Sequence, residues 1–253
     1  MIDHSCKPNS IATFTKNKQL IIRTIQEVDS FPKIRISYFS NIWETTQNRR
    51  EYLQNNYYFL CECPKCLEKS DAQKSSLKCW QCDGCVPRCT GICNDCKNES
   101  IPQDILDKHA ALKNKINEIV PYGAYPNKGW SIFRGENLYV CNQLIFFLSI
   151  EYLNEYENLF EESKNIFHAN DADFRRLMEV VLKFRMEKRH YNKGCLEINK
   201  LILTNSYENL PMLNTAMKEL TVAMLCNVLN MYEEAEMHIN KAGLLIVGNF
   251  KLF

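Results

Sequence analysis

Ten of the thirteen cysteines lie between Cys6 and Cys96, most of them in C-x-C or C-x2-C pairs, and this spacing constrains the fold more than any other feature. Two uses of so many thiols compete: disulfides in an oxidising compartment, or thiolates gripping metal in a reducing one. Pairs two or three residues apart suit neighbouring sulfurs on one zinc ion, and an odd total fits poorly with complete internal pairing. The N-terminus MIDHSCKPNS has no apolar signal region, and the longest apolar stretch, near Leu144 to Ile150, is far below the roughly 20 residues that cross a bilayer. The sequence therefore reads as a soluble intracellular protein, cytoplasmic or nuclear, with structural zinc.

Lys+Arg 31 against Asp+Glu 30 leaves a net charge of +1, so no global field draws the chain to nucleic acid or to an anionic membrane. A hydrophobic content of 45% over 253 residues suffices for one or two cored domains. Ile11, Thr13 and Phe14, a turn at Lys16 to Lys18, and Leu20 to Ile25 predict a β-hairpin; Ile34 to Tyr38 predict a further strand. Thr46 to Tyr57 predict a short helix, and Ser70 to Ser76 a linker. Beyond Pro102, helical periodicity runs over about 104–120, 138–167, 172–190, 193–203, 211–230 and 232–247. The expected class is α+β: a small β-rich part with cysteine clusters, then an all-α array. The domains are expected at 1–60, 61–100 and 101–253. Leu229, Tyr232, Ala235 and Ala242, echoed by Tyr191, Gly194 and Ile198, have tetratricopeptide-like spacing, against the plainer reading of ordinary helix packing.

Cys61, Cys63 and Cys66 offer three thiolates where zinc wants four. Cys6 is the candidate for the fourth; the plainer reading is a small buried hydrophobe. Cys79, Cys82, Cys93 and Cys96 form two C-x2-C knuckles able to close a second site, although Cys79, Cys82, Cys85 and Cys89 also offer four thiols. Four thiolates leave no open position for a catalytic water, so both sites read as structural. Cys141, Cys195 and Cys226 are isolated on predicted helices and read as core. His109, His168, His190 and His238 read as packing or surface residues, and no H-E-x-x-H, phosphate loop or G-x-S-x-G elbow occurs.

Asp3-His4-Ser5-Cys6-Lys7-Pro8-Asn9, then Ile36-Ser37-Tyr38, then Arg49-Arg50-x2-Leu53-x3-Tyr57-Tyr58-Phe59-Leu60-Cys61-Glu62-Cys63-x2-Cys66 resemble the end of a SET domain and its post-SET zinc site. The resemblance is to the SET and MYND domain (SMYD) family of protein-lysine methyltransferases, specific over Asp3 to Cys66 and loose across a helical half similar to that family's tetratricopeptide-like domain. It implies that Cys6 completes the first zinc site. It also implies that Asp3 and His4 stand at an S-adenosylmethionine pocket with Phe59 against the adenine, and that Tyr38 and Tyr57 line the channel for the substrate lysine. Taken alone, each tyrosine reads as a packing residue.

Asp3 stands where the family has asparagine, which keeps an acceptor for the cofactor's ammonium but loses the amide donors. Asp29-Ser30-Phe31-Pro32 replaces the family's glycine-glutamate segment before the tyrosine strand. The family's glycine-containing cofactor loop, MYND finger and earlier SET strands are not among these residues. The resemblance thus implies the C-terminal portion of a lysine methyltransferase, inactive in isolation. It would bind about two structural zinc ions, and S-adenosylmethionine only if an upstream SET half is present. Its partner would be a histone or another lysine-bearing protein. The other reading is a non-catalytic, zinc-stabilised protein-interaction module.

Overall fold

A computed structural model of the chain describes residues 2–14, 18–39, 43–68, 71, 74–120, 153–204 and 212–247. The chain divides into two compact units, Met1–Lys69 with Arg189–Phe253, and Ser70–Lys188. The architecture is α+β, with small two-stranded sheets followed by a helical array.

In the first unit, β2 (Ser10–Phe14) and β3 (Leu20–Thr24) form the expected antiparallel hairpin, in register from Ser10 opposite Thr24 to Phe14 opposite Leu20. Of the turn, Lys18 takes a left-handed conformation at φ 61°, while Lys16 and Asn17 lie outside the described residues. The strand predicted over Ile34 to Tyr38 shortens to β4 (Arg35–Ile36), which pairs in parallel with β1 (Asp3–His4). Side chains end it. The Tyr38 N–H donates to His4 Nδ1 at 2.9 Å, and Ser37 Oγ takes the Phe39 N–H at 3.2 Å, so neither amide continues a ladder. Asn9 ties these pieces together: its side chain donates to the Lys33 carbonyl at 2.8 Å and accepts from the Arg35 N–H at 2.7 Å.

Helix α1 (Thr46–Tyr57) matches its predicted span. Thr45 caps it by accepting from the Asn48 N–H at 3.2 Å, and Tyr58, at φ 61°, closes it through an N–H bond to the Gln54 carbonyl. The helix is strongly polar and buries only Arg49 and Leu53. Helix α2 (Pro64–Leu67) carries Cys66.

In the second unit, β5 (Ser76–Lys78) pairs antiparallel with β6 (Cys85–Pro87). Helix α3 (Gln103–Ile119), α4 (Leu153–Ser163) and α5 (Ala172–Glu187) supply the apolar mass. Phe160 and Phe167 each stack on Phe174, and His109 lies against Phe167 with ring centroids 4.2 Å apart. Asp171 caps α5 by accepting from the amides of Asp173 and Phe174, and its other oxygen accepts from the Ser76 N–H at 3.0 Å. One carboxylate thus fixes both a helix start and the strand leading into the cysteines. Of the segment predicted helical over 138–167, residues 138–152, with Cys141, lie outside the described residues.

The remaining helices belong to the first unit: α6 (Lys193–Thr204), α7 (Met212–Val228) and α8 (Tyr232–Val247). Ala235 and Ala242, part of the tetratricopeptide-like spacing, are buried, and so are Ala216 and Ala223 on α7. Tyr232 is exposed instead, its hydroxyl donating to Asn230 Oδ1 at 2.8 Å. Cys195 and Cys226 are fully buried core residues. The His238 ring nitrogen Nδ1 and a Glu219 carboxylate oxygen meet in a buried hydrogen bond, and Lys200 reaches Glu234.

Candidate metal centres and the aromatic cluster

Cys6, Cys61, Cys63 and Cys66 present sulfurs that all lie within 4.8 Å of one another. Cys6 Sγ is 3.9 Å from that of Cys61 and 3.5 Å from that of Cys66. Tetrahedral zinc with sulfurs at its usual bond length puts them about 3.8 Å apart, so the four donors fit the ion and could hold it. Cys6, Cys61 and Cys66 are buried, packed with Leu53, Tyr38, Tyr52 and Phe59.

The loop that carries three of these sulfurs is held by α1. Arg50 Nε donates to the Cys61 carbonyl at 2.9 Å and its Nη2 to the Cys66 carbonyl at 3.3 Å. Arg49, fully buried, sends Nη2 to Cys66 Sγ at 3.5 Å and to Thr46 Oγ1 at 3.0 Å, and Nη1 to the Glu44 carbonyl. Four thiolates on one zinc carry a net double negative charge, and a buried guanidinium against one sulfur offsets part of it. The sequence reading quoted both arginines only as part of the family motif. Their role follows from packing: a helix this polar has Leu53 as its one fully buried apolar side chain, with Tyr52 half-buried beside it, and a charged side chain goes in with them.

Even without metal the thiols polarise one another. Hydrogen bonds from Cys6 and Cys61, and then Arg49, hold the Cys66 thiol far below its ordinary range. Hydrogen bonding to Cys61 and Cys66 and burial drive Cys6 far up. Cys61, lowered by Cys6 but raised by Cys66 and by burial, stands at about 11.

The second centre is Cys79, Cys82, Cys93 and Cys96, again within 4.8 Å, with Cys79 to Cys96 at 3.7 Å and Cys82 to Cys93 at 3.5 Å. Cys85 and Cys89 stand outside this set; Cys85 is buried on β6 and Cys89 is exposed. Each knuckle is the same turn. Asp83 N–H bonds the Cys79 carbonyl at 3.0 Å while Cys79 N–H bonds the Gly84 carbonyl at 2.8 Å. Lys97 N–H bonds the Cys93 carbonyl at 3.1 Å while Cys93 N–H bonds the Asn98 carbonyl at 2.9 Å. Asp83 and Lys97 occupy matching left-handed positions, at φ 61° and 60°. Gly84 is required by crowding: a Cβ there would come within 2.1 Å of an Asp95 carboxylate oxygen. Cys79 and Cys93 are buried, Cys82 and Cys96 exposed. Burial raises Cys93, but the backbone amides of Cys96 and Asp95 and the facing thiols outweigh it and bring the group to about 7. Cys82 is lowered by the Gly84 amide yet pushed up to about 12 by the thiols of Cys96 and Cys93.

Beside the first centre, His4, Tyr38, Tyr57 and Phe59 converge. His4 lies 5.2 Å from Tyr38 and 5.8 Å from Phe59 between ring centroids, and Tyr38 lies 5.0 Å from Tyr57 and 6.3 Å, edge-on, from Phe59. Tyr38 donates its hydroxyl to the Ile2 carbonyl, and Tyr57 donates to the Tyr38 carbonyl at 3.4 Å. Burial first, then Asp3, raises the Tyr38 phenol; burial, then Tyr52 and Tyr38, raises Tyr57. Both stay protonated at neutral pH. Burial also lowers His4 to about 4, so its ring is neutral. Asp3 is drawn elsewhere: its carboxylate faces Arg35 at 3.5 Å and is largely exposed.

These donors and this fold define an α+β protein with two four-cysteine sites of zinc geometry. No family model matches the chain. Over about a third of its length the chain is similar to SMYD lysine methyltransferases. Among them are N-lysine methyltransferase SMYD2-A of Danio rerio, 36% identical over 79 residues (31% of this chain, 18% of that protein), and N-lysine methyltransferase SMYD2 of Homo sapiens, 32% identical over 78 residues (31% and 17%). Protein-lysine N-trimethyltransferase SMYD5 of Homo sapiens is 33% identical over 72 residues (27% and 17%). The chain thus spans under a fifth of the length of these curated relatives. Among the described residues, no helix is long and apolar enough to cross a membrane.

Proposed function

We propose that this chain carries the C-terminal portion of a SMYD-type, S-adenosylmethionine-dependent protein-lysine methyltransferase. In this reading residues 1–60 are the end of the SET domain, 61–100 the post-SET and second zinc region, and 101–253 a tetratricopeptide-like array. The convergence of His4, Tyr38, Tyr57 and Phe59 beside a four-cysteine centre carries the reading.

Methyl transfer needs a neutral lysine amine in line with the methyl carbon of a sulfonium, and positioning supplies much of the rate. Phenols held protonated cannot take the lysine proton at neutral pH. Tyr38 and Tyr57 therefore orient the amine with ring faces and hydroxyl oxygens, and the proton leaves to solvent. Phe59 offers its ring to the adenine. Asp3 is the weak point, since it reaches the cofactor's ammonium only by leaving Arg35. The similar proteins are named as protein-lysine methyltransferases, which makes a lysine-bearing protein the substrate class.

The test is complementation. The zinc-loaded chain, mixed with a polypeptide supplying a glycine-containing cofactor loop and the earlier SET strands, transfers labelled methyl groups to a histone mixture, and Tyr38→Phe abolishes the transfer. The chain alone gives no calorimetric heat with S-adenosylmethionine. Micromolar binding by the chain alone, or a stable complex that never labels protein, sinks the proposal. A non-catalytic interaction module is the second reading, and the exposed apolar ridge Met217, Leu220, Met224 and Val228 along α7 favours it. Silent complementation with α7-dependent capture of a protein partner would select it.

A further inference from the structure

The geometry points to His4 as a positioning residue, an imidazole bridge that couples the first cysteine centre to Tyr38. The inference rests on the proposed zinc and active-site readings for its functional meaning, but its structural core stands on two contacts. The Tyr38 N–H donates to Nδ1 at 2.9 Å. An amide N–H can bond only to a bare ring nitrogen, so Nδ1 carries no proton. A neutral imidazole then carries its one proton on Nε2, which lies 3.2 Å from Cys6 Sγ. The sulfur is therefore the acceptor of an N–H···S bond, and the ring spans from a metal-ligand sulfur to the backbone of the tyrosine.

Three consequences follow. A four-thiolate zinc site, net doubly negative, receives a cationic side-chain donor, Arg49 on Cys66, and a neutral side-chain donor, His4 on Cys6. Such partners outside the metal shell orient ligands and tune them. Next, both nitrogens of His4 are committed, so what the side chain can present to a cofactor is its ring face, next to Tyr38 and Phe59. Finally, β4 stops short because this imidazole takes the Tyr38 amide, which places the tyrosine at a position set from the metal side.

The experiment is histidine-selective 15N NMR with amide hydrogen exchange on the full zinc-loaded chain. The expected spectrum shows His4 unprotonated at Nδ1 and protonated at Nε2, with a protected Tyr38 amide. Stripping the metal with a chelator broadens the Nε2–H signal and speeds Tyr38 amide exchange at least tenfold. In His4→Phe, which keeps a ring but no bridge, the Tyr38 amide exchanges fast even with zinc bound. An Nδ1-protonated His4, or a Tyr38 amide equally protected in His4→Phe, overturns the bridge. Should His4→Phe fail to fold, the wild-type tautomer still decides. A chain that takes up no zinc by elemental analysis yet shows the Nε2–H tautomer removes the metal reading and supports the bridge as an imidazole-thiol link. A confirmed bridge with silent complementation removes only the enzymatic reading.

Discussion

Cys6 reaches its partner Cys61 across 55 residues of chain, and the resulting centre is lined by Leu53, Tyr38, Tyr52 and Phe59 and braced by two arginines of a helix. Cys79 to Cys96 span 17 residues, and their centre is braced by two copies of one backbone turn, with two of the four thiols in solvent. The donors are identical and the supports are opposite. A long-range site depends on a charged, buried second layer; a short-range site depends on local turns and tolerates exposure. The first site therefore behaves as the keystone of a β-rich region with little apolar core, and the second as a clip on a unit whose helices carry their own.

The largest expected effect breaks that contrast directly. Cys61→Ala removes a ligand from the keystone, and because structural zinc contributes on the order of 10 kcal/mol to such segments, cooperative unfolding of residues 2–68 is lost. Cys82→Ala releases one zinc while α3 to α5 keep their helical circular dichroism. In the unmutated chain a chelator removes the second zinc first, since Cys82 and Cys96 are exposed. Release in the opposite order, or a Cys61→Ala chain that melts as the wild type does, refutes the keystone role.

Arg49→Met comes next. Removing one partner of a buried charge pair typically costs about 3–5 kcal/mol, and urea denaturation of the zinc-loaded chain is expected to show a loss of that size. Arg49→Lys falls in between, keeping the charge and losing the fork that joins Cys66, Thr46 and Glu44. A neutral Arg49→Met would mean that the thiolate charge is balanced elsewhere.

How much of this was legible in the sequence divides along the same line. Local order shows in local pattern: the two C-x2-C knuckles are visible as spacing, and the periodic run Tyr232–Val247 as a helix. Long-range order shows less. Nothing in the spacing of residues joins Cys6 to the cysteines near sixty: the three-ligand shortfall makes Cys6 a candidate beside the plainer buried reading, and the family resemblance is what favours it. Arg49 hides because a charge in a polar helix ordinarily lies in solvent, whereas here the helix has little else to bury. Ile34 to Tyr38 has the composition of a full strand, but His4 and Ser37 intercept its amides. Asp3 follows the motif in sequence and departs from it in space, because Arg35 lies across the β1–β4 pair and offers a nearer charge.

A smaller effect sharpens the local half of the comparison. Gly84→Ala would place a methyl group against Asp95, whose Cγ is 2.9 Å and Cβ 3.1 Å from the added carbon, so rotation of the carboxylate alone does not clear it. Overpacking of this kind costs about 1–3 kcal/mol. Asp95→Ala in the same chain recovers part of the loss, a coupling that a double-mutant cycle reads. Strict additivity would mean that the two knuckles are not pressed together at this point.

The smallest expected effect lies in the second unit and depends on pH. His168 accepts the Asn170 N–H on Nδ1 at 3.2 Å, its backbone N–H bonds the Ser76 carbonyl, and the charged groups acting on the ring are Asp95, Lys78 and Asp171. Burial, the dominant cause, holds its ring below the ordinary value of 6.5. A depressed value means that the folded unit prefers the neutral ring. The stabilisation is complete above pH 6.5 and is lost as pH falls through the folded value. His168→Asn is therefore expected to flatten the acid limb of the stability curve below pH 6.5 while leaving the alkaline limb unchanged. Cysteine protonation and zinc release act on both proteins alike, so the difference curve isolates the histidine. An acid limb identical in the two proteins would assign acid sensitivity to the exposed thiols of the second centre alone.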